Sequence, residues 1–132
     1  MRTIIKVRGY HIDLFQHVNN ARYLEFMEEA RWDLLTESDT LTWLKTNNVG
    51  FAVVNININY RLPAVFGDEL EVRSSLKELR NKSGVFFQEI IRRSDNKVLT
   101  DALTTFACID LKTHKALTLE GDIQERLEAF KV

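Results

Sequence analysis

The chain has 132 residues, a length that suggests one domain over 1–132 with a single core. Its apolar fraction is ordinary for a globular protein, and a net charge of −1 with scattered basic residues leaves no footprint for nucleic acid. The one cysteine, Cys108, excludes an intramolecular disulfide and fits a reducing compartment. Charge interrupts the N-terminus too early for a signal peptide, and no apolar run is long enough to span a bilayer, so a cytoplasmic protein is expected.

Residues 3–8 read as a first strand closed by Gly9, and residues 13–18 as a loop. A helix is expected from about Asn20 to Thr36, because Tyr23, Phe26, Met27, Ala30 and Leu34 share one helical face. Glu25, Glu28, Glu29 and Arg31 fall mostly off that face, where water solvates them. Ser38 or Asp39 is placed to cap a short second helix through Trp43 and Leu44, stopped by Asn47, Asn48 and Gly50. From Phe51 the period changes to two. Ala52, Val54, Ile56, Ile58 and Tyr60 take one strand face, and Asn55, Asn57 and Asn59 the other, where their amides need partners.

Pro63 and Gly67 mark a loop. Strands follow from Leu70 to Leu76, from Val85 to Arg92 and from Val98 to Ile109, the last apolar on both faces as for a strand covered on both sides. Short turns at 81–84 and 94–96 separate them. Residues 118–130 suit a terminal helix with Leu119, Ile123, Leu127 and Phe130 on one side. One long early helix followed by four strands on hairpin connections gives an α+β architecture with an antiparallel sheet.

Asp13 stands in a loop just before the long helix. A helix N-terminus offers free N–H groups and partial positive charge to an oxyanion, and a carboxylate beside it can serve as general base or nucleophile. The same residues also read as a turn Asp followed by an N-cap at Asn19 or Asn20. The three histidines, His11, His17 and His114, are scattered, so no zinc site is expected. Cys108 in an apolar strand reads as a core residue, and no Gly-x-Ser-x-Gly elbow is present.

The run from Asp13 to Trp32, DLFQHVNNARYLEFMEEARW, resembles the active-site segment of the 4-hydroxybenzoyl-CoA thioesterase-like family of hotdog-fold enzymes. The stretch from Val54 through Tyr60-Arg61-Leu-Pro63-Ala to Gly67-Asp68 is similar to that family's second strand and following loop. Within the family the chain is similar to the bacterial long-chain acyl-CoA thioesterases of fatty-acid degradation.

The resemblance implies a hotdog fold, a five-stranded antiparallel sheet wrapped around one long helix, and hydrolysis of acyl-CoA without a cofactor. It assigns Asp13 as the catalytic carboxylate and the Asn20 backbone N–H as donor to the thioester carbonyl. His17 is placed to orient Asp13, to touch substrate or to anchor the loop. Tyr23, Arg61, Lys82 and Ser83 are the substrate-binding candidates, the last three toward coenzyme A, although Lys82-Ser83-Gly84 is equally a plain hairpin turn. Tyr23, Phe26, Met27, Phe51 and Phe66 suit an acyl tunnel or simple core. Glu25, Glu28 and Glu29 are alternative carboxylates that read better as a solvated face. The resemblance also implies a homodimer, often doubled to a homotetramer. Two other readings stand beside it: a non-catalytic acyl-CoA or fatty-acid binding module, and a hotdog hydratase, which the three-residue spacing of Asp13 and His17 disfavours.

Overall fold

A computed structural model describes residues 2–131. In chain order it contains β1 (Arg2–Lys6), a 3-10 turn (Gly9–His11), α1 (Asn20–Glu37), α2 (Thr40–Thr46), β2 (Val49–Tyr60), β3 (Glu69–Leu79), β4 (Gly84–Arg92), β5 (Lys97–Asp110) and α3 (Asp122–Glu128). The strands form one antiparallel sheet in the order β1-β3-β4-β5-β2. The 18-residue α1 lies across β1, β3 and β4 with Tyr23, Phe26, Met27, Ala30, Leu34 and Leu35 buried. This is the hotdog arrangement, and its core falls into two clusters. Tyr23, Phe26 and Met27 meet Leu70, Val72 and Ile90 in one. Leu34 and Leu44 meet Phe86, Phe106 and Leu127 in the other. Among the described residues no helix is long and apolar enough to cross a membrane.

The short turns join only β3, β4 and β5 as hairpins. β2 and β3 are not a hairpin pair: β2 pairs with β5 at one edge, and β3 sits between β1 and β4. Residues 61–68 therefore carry the chain past two strands. Pro63 serves this crossing, since it supplies no N–H for a ladder. On the way Ala64 is buried beneath α1. Its N–H donates to Tyr23 Oη at 3.0 Å, and its carbonyl accepts from Val18 N–H at 2.9 Å.

The alternation read for β2 is corrected by a bulge. Register slips between Val53 and Asn55, so Val54 stands against no residue of β5. Phe51 and Val53, opposite Cys108 and Phe106, thus share the core face with Ile56 and Ile58, and Ala52 goes to the other. Asn59 finds a partner in Asp101 Oδ1 at 3.1 Å, whereas Asn55 and Asn57 are exposed. The α2 cap is also corrected. Asp39 adopts φ 60° and makes no side-chain cap, and Ser38 Oγ turns back to the Leu34 carbonyl at 2.7 Å, closing α1 instead. Gly50 lies inside β2 rather than at the helix stop. The terminal helix is shorter than the pattern suggested because Gly121, at φ 67°, precedes Asp122 as its N-cap. Arg31 departs from the solvated face. It is half-buried and donates to the fully buried Gln88 at 3.0 Å.

Cys108 is fully buried, and desolvation pushes its thiol up to about 12. Gly84 opens β4 against Phe106. An added Cβ there would lie 2.5 Å from Phe106 Cζ, and that ring is stacked on Phe86 at 4.8 Å. Gly84→Ala is therefore expected to lower stability by about 1–3 kcal/mol through overpacking. The check is a fall in the urea midpoint at unchanged slope. Tyr23→Phe leaves the buried Ala64 N–H without an acceptor and is expected to cost about 1–3 kcal/mol in the same assay. An unchanged midpoint would show that water replaces the phenol.

Candidate active site

The loop before α1 is built by local hydrogen bonds. Asp13 Oδ1 accepts from Phe15 N–H at 2.9 Å, and Gln16, at φ 67°, donates its N–H to the Asp13 carbonyl at 3.1 Å. Asp13 N–H donates to the His17 carbonyl at 2.9 Å, and Ile12 and Val18 form an isolated bridge. The result is a closed tongue that holds a half-buried carboxylate by one oxygen. Oδ2 takes no hydrogen bond among the described residues. The tip presents Leu14 and Phe15 at 86% and 76% exposure, which is unusual for large apolar side chains beside a polar loop.

The helix start is divided between two asparagines. Asn19 is the N-cap: its Oδ1 accepts from Ala21 N–H at 3.0 Å, and its own N–H donates to the His11 carbonyl at 2.9 Å. Nothing among the described residues accepts from Asn20 N–H. The first turn carries no acidic residue, so the positive end of the helix dipole is not neutralised there. Tyr60 ends β2 by donating its hydroxyl to the Asn20 carbonyl at 3.0 Å, which ties the edge strand to this first turn.

Asp13, His17, Asn20, Tyr23 and Arg61 line one cleft of about 480 Å³, with Phe15, Val18, Tyr60, Leu62 and Pro63 as its remaining walls. The α1 start, the tongue and the crossing from β2 to β3 thus converge. Each residue contributes differently. The His17 side chain is exposed and makes no hydrogen bond among the described residues, so its part in shaping the loop is its carbonyl. Tyr23 is buried, its ring 5.5 Å from that of Tyr60, and burial raises its phenol above the ordinary range. Arg61 Nε bonds Asp101 Oδ2 at 2.5 Å, and that bond holds the guanidinium charged and the carboxyl below its usual range. Half of Arg61 remains exposed.

Lys82 and Ser83 are not brought to this cleft. They sit in the β3–β4 turn, where Arg80 N–H donates to the Ser83 carbonyl at 2.7 Å. Tyr60 is opposite Thr100 on β5 and Gly84 opposite Phe106, so about 20 Å of strand separates the turn from the cleft. Of the suggested tunnel residues, Phe26 and Met27 are core, Phe66 is exposed, and Phe51 lines a separate cavity toward the start of β2. Glu25 pairs with Arg22 at 2.8 Å, and Glu28 accepts from Trp32 Nε1 at 3.3 Å. Tyr60 was not singled out from the sequence as a site residue. Its position as the last residue of β2, next to Arg61, was the available signal. No cluster of three or more His, Cys, Asp or Glu placed to hold a metal occurs among the described residues.

The arrangement can present a carboxylate, and a helix N–H with no acceptor among the described residues, to a carbonyl compound in one cleft. Comparison with known proteins identifies the family. The model of the thioesterase-like superfamily matches residues 7–127. The long-chain acyl-CoA thioesterase FadM of Escherichia coli (strain K12) is 59% identical over 128 residues, covering 97% of each chain. The acyl-CoA thioester hydrolase YbgC of Escherichia coli O6:H1 is 31% identical over 94 residues, covering 70% of this chain and 69% of that one. The crystal structure of the probable thioesterase YbaW from Escherichia coli superposes with a TM-score of 0.94 at 57% identity, covering 100% of this chain and 99% of that one. The chain belongs to the thioesterase-like superfamily.

Proposed function

We propose that this chain, acting as one domain over residues 1–132, is an acyl-CoA thioesterase that converts acyl-CoA and water to a fatty acid and coenzyme A. The observation that carries the reading is the meeting of the Asp13 carboxylate and the free Asn20 N–H in one cleft. The N–H polarises the thioester carbonyl and stabilises the oxyanion that forms on attack. Asp13 either draws a proton from the attacking water or attacks the carbonyl itself, giving a mixed anhydride that water then opens. Both routes expel the coenzyme A thiolate and need an ionised Asp13. His17 flanks Asp13 and Tyr23 backs the cleft, while Arg61, restrained by Asp101, faces the pantetheine or phosphate side.

A long acyl chain is supported by the identity to FadM and by the exposed Leu14 and Phe15 beside the cleft. No cofactor enters either route. The lone cysteine accords with a cytoplasmic setting.

The protein works as a homodimer, assembled further into a homotetramer. β2 supports this: it is a 12-residue edge strand with no partner on its outer side among the described residues, and it carries exposed Val53 and Val54. Lys82 and Ser83, about 20 Å of strand from their own cleft, are placed to meet a nucleotide only at the far end of an extended coenzyme A or from another subunit.

The first test is thiol release from acyl-CoAs of graded length. Turnover of long chains is expected, and Asp13→Asn should lower kcat by about 10²–10⁴-fold with the fold intact. Binding without turnover in the wild type would instead favour a carrier module. Light scattering should give two or four times the chain mass. Val54→Lys, which charges the edge, is expected to shift the protein toward monomer. A fully active wild-type monomer would refute assembly through β2.

A further inference from the structure

Tyr60 closes β2, and the chain around it is fixed to β5. It stands opposite Thr100, and the next two N–H groups, of Arg61 and Leu62, both donate to the carbonyl of the buried Leu99, at 2.8 and 3.1 Å. Its ring meets the Tyr23 ring edge-on, at 5.5 Å and 70°. Backbone and ring together aim the phenol at α1, where its hydroxyl donates to the Asn20 carbonyl at 3.0 Å. In a helix that carbonyl already accepts from the N–H four residues on, so the phenol takes its second lone pair. Tyr60 is 46% exposed, so water is available to its hydroxyl. Neither the helix nor the phenol needs this bond merely to be satisfied.

The first turn of α1 is shaped by its own bonds but located by others. Ala21 N–H donates to Asn19 Oδ1 at 3.0 Å, and Arg22 N–H donates to the Asn19 carbonyl at 2.9 Å. These set the geometry within the turn and leave its position over the cleft open. Position comes from tethers to the rest of the molecule. Asn19 N–H donates to the His11 carbonyl at 2.9 Å, Arg22 Nη2 to the Tyr10 carbonyl at 3.3 Å, and Ala64 N–H to Tyr23 Oη at 3.0 Å. The Tyr60 bond is the one that lands on Asn20 itself. Asn20 lines the cleft, and its N–H has no acceptor among the described residues. Helix ends fray, so a tether on the first helical residue bears directly on where that N–H sits.

The bond acts on place rather than on donor strength. It polarises the peptide that joins the Asn20 carbonyl to Ala21 N–H, and Asn19 Oδ1 already occupies that N–H. The Asn20 N–H belongs to the preceding peptide. We propose that Tyr60 is a positioning residue for thioester hydrolysis: through the Asn20 carbonyl it holds the Asn20 N–H where the oxyanion forms, without touching the reacting atoms. The proposal rests on the thioesterase reading above. An oxyanion donor works by being fixed before the charge develops, and a misplacement of about 1 Å can cost about 10²-fold in rate. The bond lies within one chain and uses a side chain, not the open backbone edge of β2.

Tyr60→Phe keeps the ring against Tyr23 and removes only the hydroxyl. With dodecanoyl-CoA as substrate, kcat is expected to fall about tenfold at unchanged KM, because the N–H acts mainly on the transition state. Circular dichroism and light scattering verify that fold and assembly match the wild type. A second readout is one that a merely structural role would not move. It is the infrared carbonyl band of dodecanoyl-CoA, labelled with carbon-13 at the thioester carbonyl and bound to Asp13→Asn. A fixed N–H donor lowers that band from its frequency in solution, and adding Tyr60→Phe should return it toward the solution value. An unchanged kcat, a raised KM at constant kcat, or a band that does not move overturns the proposal, while an active wild type keeps the thioesterase reading. A wild type that releases no thiol from any acyl-CoA defeats that reading, and this proposal with it.

Discussion

Ala64 is held through both of its backbone groups, and much of the molecule depends on that clamp. Its carbonyl takes the Val18 N–H from the tongue, and its N–H meets the Tyr23 phenol from α1. The crossing from β2 to β3, the tongue and the first turns of the helix are thereby joined at one buried point. A loop over a sheet would otherwise leave such groups to water. Here the bonds seat the crossing under the helix start, and the cleft is the space left between them. Tyr60 extends the same restraint outward by tying the end of the edge strand to the Asn20 carbonyl.

The long helix was legible because five apolar positions repeat on one face and no residue within it breaks the helix. The site was legible in part for the same reason. The turn residues of the tongue and the Asn19–Asn20 pair are local signals, and they do place Asp13 beside a helix start. A sequence could not divide the asparagines, since either can cap. The backbone decides it by seating the Asn19 carboxamide on Ala21 N–H, which leaves Asn20 N–H open. Beyond that local segment the pattern failed where one residue altered the count. The bulge at Val54 reverses the phase of β2, so the first half of the alternation was assigned to the wrong face. Arg31 was read as solvated because its position alternates with core residues. Its long stem lets the charged end reach Gln88 across the packing, and no periodicity reports that. The β2–β3 crossing was missed because turn composition does not distinguish a hairpin from a passage beneath a helix.

The buried polar side chains of this largely apolar core differ in physical standing. Gln88 is buried with its amide fully engaged, so it orders its surroundings. Thr100 and Thr104 on β5 carry buried hydroxyls with no hydrogen-bond partner among the described residues. The cleft at the other end of α1 shows a similar economy: one carboxylate oxygen bound and the other open, one helix N–H capped and the next left unpaired.

The sealed thiol of Cys108 has a chemical consequence of its own. A thioesterase works amid acyl thioesters and releases a free thiol at each turnover. An accessible cysteine in that mixture would exchange acyl groups with the substrate, or form a mixed disulfide with the product once an oxidant appeared, because the thiolate is the reactive form. Burial removes access, and a pKa raised to about 12 removes the thiolate. The protein is thereby inert toward the reactive group it liberates, and sulfur exchange is left to coenzyme A alone.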